Sequence, residues 1–144
     1  MISGISKYKY LGQAYTSAKA ESIWNKWTDV NSWHQWDNDV EKVELEGEFI
    51  KGTKGVLFPK DGPKSNFLIT EVVENRKFVN IAKLPLAKLK FDHEIEKFDQ
   101  QIKVTHTIYL SGLMAPIFNL IFVRRLGLEL QNSVNKLVKT VEHL

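Results

Sequence analysis

With 144 residues, 43% hydrophobic and 26% charged, the chain has the length of a single domain over 1–144. Its composition excludes disorder and leaves about two-thirds of the unfolded surface to be buried. It has no cysteine, which excludes disulfides, thiolate nucleophiles and cysteine-ligated zinc and suits a reducing, cytoplasmic setting. The net charge of +3 is modest and the lysines are spread along strand-like segments, which reads as a solvated face with no nucleic acid as partner.

The opening segment MISGISKYKYLGQAY contains no apolar core of a signal peptide. Residues 5–15 alternate loosely and carry Tyr8, Tyr10 and Tyr15, predicting a first strand. Ser17 is placed to cap a helix over 18–28, with Glu21 in its first turn and Ala20, Ile23, Trp24 and Trp27 on one apolar face. After the break at DVNS, Asn31 or Ser32 can cap a short helical turn holding Trp33, His34 and Trp36.

From about residue 40 the chain reads as strands. VEKVELEGEF places Val43, Leu45, Gly47 and Phe49 on one face. VLFP, NFLITEVV, FVNIAKL, KLKFDHEIEKF and QIKVTHTIYL follow, separated by short turns, which predicts an antiparallel meander rather than βαβ units. Pro116 then suits a first helical turn. Leu120, Val123, Gly127, Leu130, Val134, Leu137 and Val141 form a stripe at three- and four-residue steps, predicting one helix over 114–142, about 40 Å long. The apolar run LMAPIFNLIFV is far short of the roughly 20 residues of a membrane span, so it reads as a buried or interfacial helix segment without stable membrane insertion.

The predicted fold is α+β. A seven-stranded antiparallel sheet curves around the long C-terminal helix, with two short helices between strands 1 and 2. The sheet has one apolar face to bury, and the helix is the element large enough to cover it. A curved sheet gripping a helix leaves a gap of the kind that holds small molecules.

Several stretches carry a resemblance. They are SAKAESIWNKWTD, SWHQWDNDVEKVELEGEF with KGTKG, FLITEVVENRKF, and HEIEKFDQQIKVTHTIYLSGLMAPIF. In this order they resemble the polyketide cyclase and lipid-transport superfamily of helix-grip domains, the SRPBCC or START-related proteins, over nearly the whole chain. The resemblance implies that the short helices close one end of the sheet–helix gap, with Trp33 and Trp36 at the mouth or floor of a cavity or serving as plugs.

Leu89, Phe91, His93 and Ile95 share one strand face, and Ile102, Val104, His106, Ile108 and Leu110 share one face of the next. A two-residue loop at Asp99-Gln100 sets Phe98 opposite Gln101 and therefore His93 opposite His106, inside an apolar wall. Burial is expected to keep both imidazoles neutral. Three readings stay open: the pair anchors a ligand oxygen, it moves a proton, or it is satisfied within the core. Without an inward carboxylate or a third inward histidine, no metal and no cofactor is expected; His34 is expected to be exposed and His143 to fray.

Phe67, Phe78, Phe91, Ile108, Leu120, Val123 and Gly127 are expected to line the cavity. Tyr8 and Tyr10 can reach it from the first strand, and Arg124 can snorkel toward an acidic headgroup. The function expected is binding of a small hydrophobic or amphipathic molecule, such as a lipid, polyketide or aromatic metabolite. The alternatives are a cyclase or dehydratase using His93 and His106 as acid and base, and a protein-interaction module without a usable cavity. No nucleophile elbow, His-Glu-x-x-His or phosphate-cradling loop is present in the sequence.

Overall fold

The computed structural model of the protein describes residues 6–142; His143 lies outside them. Strand β1 (Ser6–Thr16) leads into helix α1 (Ala20–Thr28) and a 3₁₀ turn (Val30–Gln35). Six strands follow: β2 (Val40–Leu45), β3 (Lys54–Pro59), β4 (Ser65–Val73), β5 (Lys77–Leu84), β6 (Ala87–Phe98) and β7 (Gln101–Gly112). They form one seven-stranded sheet in the order β1-β7-β6-β5-β4-β3-β2, and each neighbouring pair is antiparallel. The C-terminal helix has three parts: α2 (Ala115–Phe118), a π-helical stretch (Asn119–Val123) and α3 (Arg124–Glu142).

The helix lies against β1 and β7, and two glycines set how closely. A Cβ on Gly12 would fall 2.7 Å from the backbone of Leu130 and Gln131, and one on Gly127 would fall 2.2 Å from the Tyr10 ring. Gln131 also seals the edge of β1. Its side-chain amide donates to the Gln13 carbonyl at 2.6 Å, and its oxygen accepts the Gln13 N–H at 3.1 Å. The two backbone groups of Gln13 are thereby satisfied as a further strand would satisfy them.

Four local expectations need correction. Helix α1 starts at Ala20 with Lys19 at the cap position, because β1 runs on to Thr16. Ser17 makes no cap there; Thr16 Oγ1 accepts the Ala18 N–H at 3.1 Å and turns the corner. The 3₁₀ turn begins at Val30, ahead of Asn31 and Ser32, and the Ser32 hydroxyl donates back to the Asp29 carbonyl at 2.7 Å. Strand β2 stops at Leu45, yet Phe49 in the following connection still packs edge-on against Phe78, ring centres 5.0 Å apart. Finally, the π-helical stretch adds a residue to one turn and rotates everything before it. Leu120 therefore leaves the inward stripe and is 81% exposed, while Val123, Val134 and Leu137 stay fully buried.

Candidate functional site

Side chains alternate along each strand, so the inner face can be read row by row across the sheet. One row runs Gly12–His106–His93–Phe78, and the next Tyr10–Ile108–Phe91–Asn80. The strand pairing sets His93 directly against His106, with ring centres 4.7 Å apart and planes at 70°.

Both imidazoles are buried in an aromatic shell. Phe78 stacks on His93 at 3.8 Å and 6°, Trp27 lies 5.7 Å from each histidine ring, and Trp36 meets His106 at 5.4 Å. The Trp27 indole N–H donates to His106 Nε2 at 3.2 Å, which puts the lone pair on Nε2 and the proton on Nδ1. His93 Nδ1 faces the Phe78 carbonyl at 3.4 Å; with the proton on that nitrogen, Nε2 is left as an acceptor. Burial pushes His106 down to about 3. Burial, and then the neighbouring His106, hold His93 well below its usual range. Two neutral imidazoles result, offering lone pairs rather than titratable protons near pH 7.

Trp33 and Trp36 are packed into this cluster at 4% and 3% exposure. Trp33 donates its indole N–H to the Trp27 carbonyl at 2.8 Å, whereas Trp36 Nε1 is buried with no hydrogen-bond acceptor among the described residues. His34 is exposed. Beside the tryptophans, Asp37 accepts the Asp39 N–H at 3.0 Å, and burial pushes its carboxyl up to about 6.

The second row differs. Ile108 and Asn80 are buried at 2% and 5%, but Phe91 between them is only half-buried, although it sits on the inner face of a central strand. Phe91 packs against the cluster of Leu89, Ile108 and Val123 and keeps part of its surface accessible. Asn80 brings an amide to that position, diagonal to His93 and so roughly 7–8 Å from it or somewhat less between Cβ atoms. Tyr10, at the other end of the row, donates its hydroxyl to Asn119 Oδ1. The π-helical turn brings Asn119 round to that tyrosine. Sequence reasoning missed both asparagines. Asn80 carried a signal, since it stands between Phe78 and Ala82 in an alternating inward set; Asn119 carried none that an α-helical wheel could reveal.

Of the other expected lining residues, Phe67 and Phe78 face inward and are buried, Val123 is fully buried and Tyr8 is half-buried. The space at Gly127 is taken by the Tyr10 ring. Arg124 and Leu120 are exposed, and Arg125 pairs with Asp39 at 2.9 Å. An open hollow of about 700 Å³ lies on the opposite, convex face of the sheet, over Leu68, Thr70 and Ile81 and bordered by Glu46, Lys54, Lys83 and Lys88.

No family model and no curated protein matches the sequence. Solved structures do match in shape. Ara h 8.0201 superposes with a TM-score of 0.72 at 12% identity, covering 96% of this chain and 100% of that one. A hypothetical protein from Helicobacter pylori reaches 0.75 at 9% identity, covering 93% and 88%. Norcoclaurine synthase from Thalictrum flavum, in complex with dopamine and hydroxybenzaldehyde, gives 0.69 at 14% identity, covering 98% and 90%.

The chain has the helix-grip fold.

That identification agrees with the resemblance carried by the sequence and places the histidine and asparagine rows on the gripped face of the sheet. At these identities it speaks for the helix-grip architecture alone; the chemistry has to come from the residues. Among the described residues, no helix is long and apolar enough to cross a membrane and no group of three or more His, Asp or Glu side chains could hold a metal ion.

Proposed function

We propose that this helix-grip protein is a cytoplasmic single-domain carrier for a small, mostly apolar molecule with one hydrogen-bonding group. The ligand sits between the inner face of the sheet and the C-terminal helix. Phe91, Ile108, Phe67 and Val123 meet its apolar body, and Tyr8 and Tyr10 flank it from β1. Asn80 and the free Nε2 of His93 meet its polar end, one donating and the other accepting.

The observation that carries this reading is the half-buried Phe91 beside the buried Asn80 amide on an inner, central-strand face. An amide on this face gains from a polar partner, because leaving one buried without a partner costs about 1–3 kcal/mol. A structure of the same fold, norcoclaurine synthase, holds dopamine and hydroxybenzaldehyde, small aromatic molecules that carry polar substituents. Binding is favoured over acid–base turnover because the His106 lone pair is occupied by Trp27 and its basicity is depressed to about 3. A general base works best with a pKa near the operating pH.

The test is displacement of a bound anilinonaphthalene dye by a phenol and by its all-hydrocarbon counterpart. Asn80→Leu is expected to weaken the phenol roughly tenfold, the worth of one hydrogen bond, and to leave the hydrocarbon unchanged. Equal effects on both, or none on either, would remove Asn80 from the site.

A further inference from the structure

We propose that one end of the molecule, formed by the β5–β6 turn and the first half of the C-terminal helix, docks reversibly on an anionic lipid surface. Six large aliphatic side chains are exposed there: Leu86 at 68%, Leu113 at 60%, Ile117 at 49%, Leu120 at 81%, Ile121 at 67% and Leu128 at 65%. Two elements supply them, and the fold joins the two. The Met114 N–H donates to the Leu86 carbonyl at 3.0 Å, so the hairpin tip abuts the start of the helix. Gly112 makes the junction possible, since any side chain there would strike the Leu86 carbonyl oxygen at 2.6 Å.

The backbone at the tip points the same way. Leu86 has φ 53°, the left-handed region that suits glycine or asparagine at a turn, yet a leucine stands there with its side chain in solvent. The π-helical stretch contributes too, for it turns Leu120 out onto the face shared with Ile117, Ile121 and Arg124. An exposed aliphatic face of this extent marks a surface that meets something apolar.

Charge selects the occupant. Strand pairing aligns Lys7, Ser111, Lys88 and Lys83 across β1, β7, β6 and β5, immediately behind the closing pair Leu84–Ala87. The next row outward on the same face is Lys9, Tyr109, Lys90, Ile81, Leu68 and Lys54. Neither row contains a carboxylate. Arg124 adds a cation within the helical stripe; Glu46 stands at the rim of the convex hollow, and Asp92 and Glu71 lie in the row beyond Lys90, facing Lys77 at 3.7 and 3.9 Å. Aliphatic side chains bounded by cations are what the interface of an anionic bilayer accepts: the chains enter the headgroup boundary and the lysines stay at the phosphates. The cation band favours this over a second copy of the chain, because a self-contact would bring like charges together. The proposal does not depend on what, if anything, occupies the inner site.

The test is co-sedimentation of the intact chain with phosphatidylcholine vesicles, with and without about 30% phosphatidylserine, at low and high salt. Binding to the anionic vesicles is expected, weakening as salt is raised. The Lys83→Gln/Lys88→Gln variant should bind about 25-fold less, roughly fivefold per lysine lost. Leu120→Ser/Ile121→Ser should lose most of the binding, and thermal melting should show both variants folded, since all four residues are exposed. Equal partitioning into neutral and anionic vesicles would overturn the proposal. So would a dimer in sedimentation equilibrium that the serine variant disperses, or binding to nucleic acid in place of vesicles with the serine variant unaffected.

Discussion

His106 ties stability to pH. Its imidazole is neutral in the folded protein, held down to about 3, whereas in an unfolded chain it charges below about 6.5. Below that pH the unfolded state binds the extra proton, so stability present above about 6.5 is lost as pH falls toward 3. The loss is about 1.4 kcal/mol per pH unit for each such histidine, and His93 adds to it in the same direction. Urea titrations at pH 7.5, 6 and 5 should show this slope. His106→Phe should reduce it to the share that His93 carries, while costing about 1–3 kcal/mol at neutral pH because Trp27 loses its acceptor. Asp37 acts oppositely. Its carboxyl is raised from 3.8 to about 6, so the fold favours the protonated form, and stability is full below 3.8 and lost as pH rises through 6. Asp37→Asn keeps an oxygen for the Asp39 N–H and should raise Tm at pH 7.5, with no gain near pH 3.8. The histidine pair was legible in the sequence because two independent features agreed, the parity of the apolar positions and the two-residue loop at Asp99-Gln100. What holds each ring was not, since the indole of Trp27 reaches His106 across 79 residues of chain.

At the scale of elements, the contact between the C-terminal helix and β1 leaves no room for a Cβ at Gly12 or Gly127 and is therefore easily broken by added bulk. Gly127→Ala places a methyl inside the Tyr10 ring, and overpacking of this kind costs about 1–3 kcal/mol by thermal or chemical denaturation. In a Tyr10→Ala background the same substitution should cost much less, which makes the pair a double-mutant cycle with a large coupling energy. Gly12→Ala has no such rescue, because its Cβ would meet backbone rather than a side chain. The strand order was legible because six strands follow one another with short turns, leaving β1 to close the sheet against β7. The helix was legible as an element but not in phase. Its stripe was continuous at α-helical steps through Leu120, and a single π-helical turn moved that residue to the outside while bringing Asn119 against Tyr10. Such an insertion leaves no mark on the spacing of apolar residues, which fits either winding.

At the scale of the whole molecule, the sequence pattern reaches the architecture and stops short of the surface. Lysines that look dispersed along the chain fall into two cross-sheet rows once the strand register is fixed, because residues such as Lys7, Lys83 and Lys88 come from three different strands. The inner face was legible as apolar with two histidines, yet its half-buried ring lies one row away, at Phe91 beside the buried Asn80. Gly127→Trp would collide with Tyr10; Ile108→Trp, which adds bulk directly beside Phe91 on the inner face, is expected to abolish dye binding. The most direct test of the ligand site is chemical-shift mapping by NMR during titration with hydroxybenzaldehyde. The account predicts saturable shifts centred on Tyr10, Asn80, Phe91, His93 and Ile108. Shifts confined to Leu68, Thr70 and Ile81 on the convex face, or to Leu120 and Ile121 on the outer face of the helix, would contradict it.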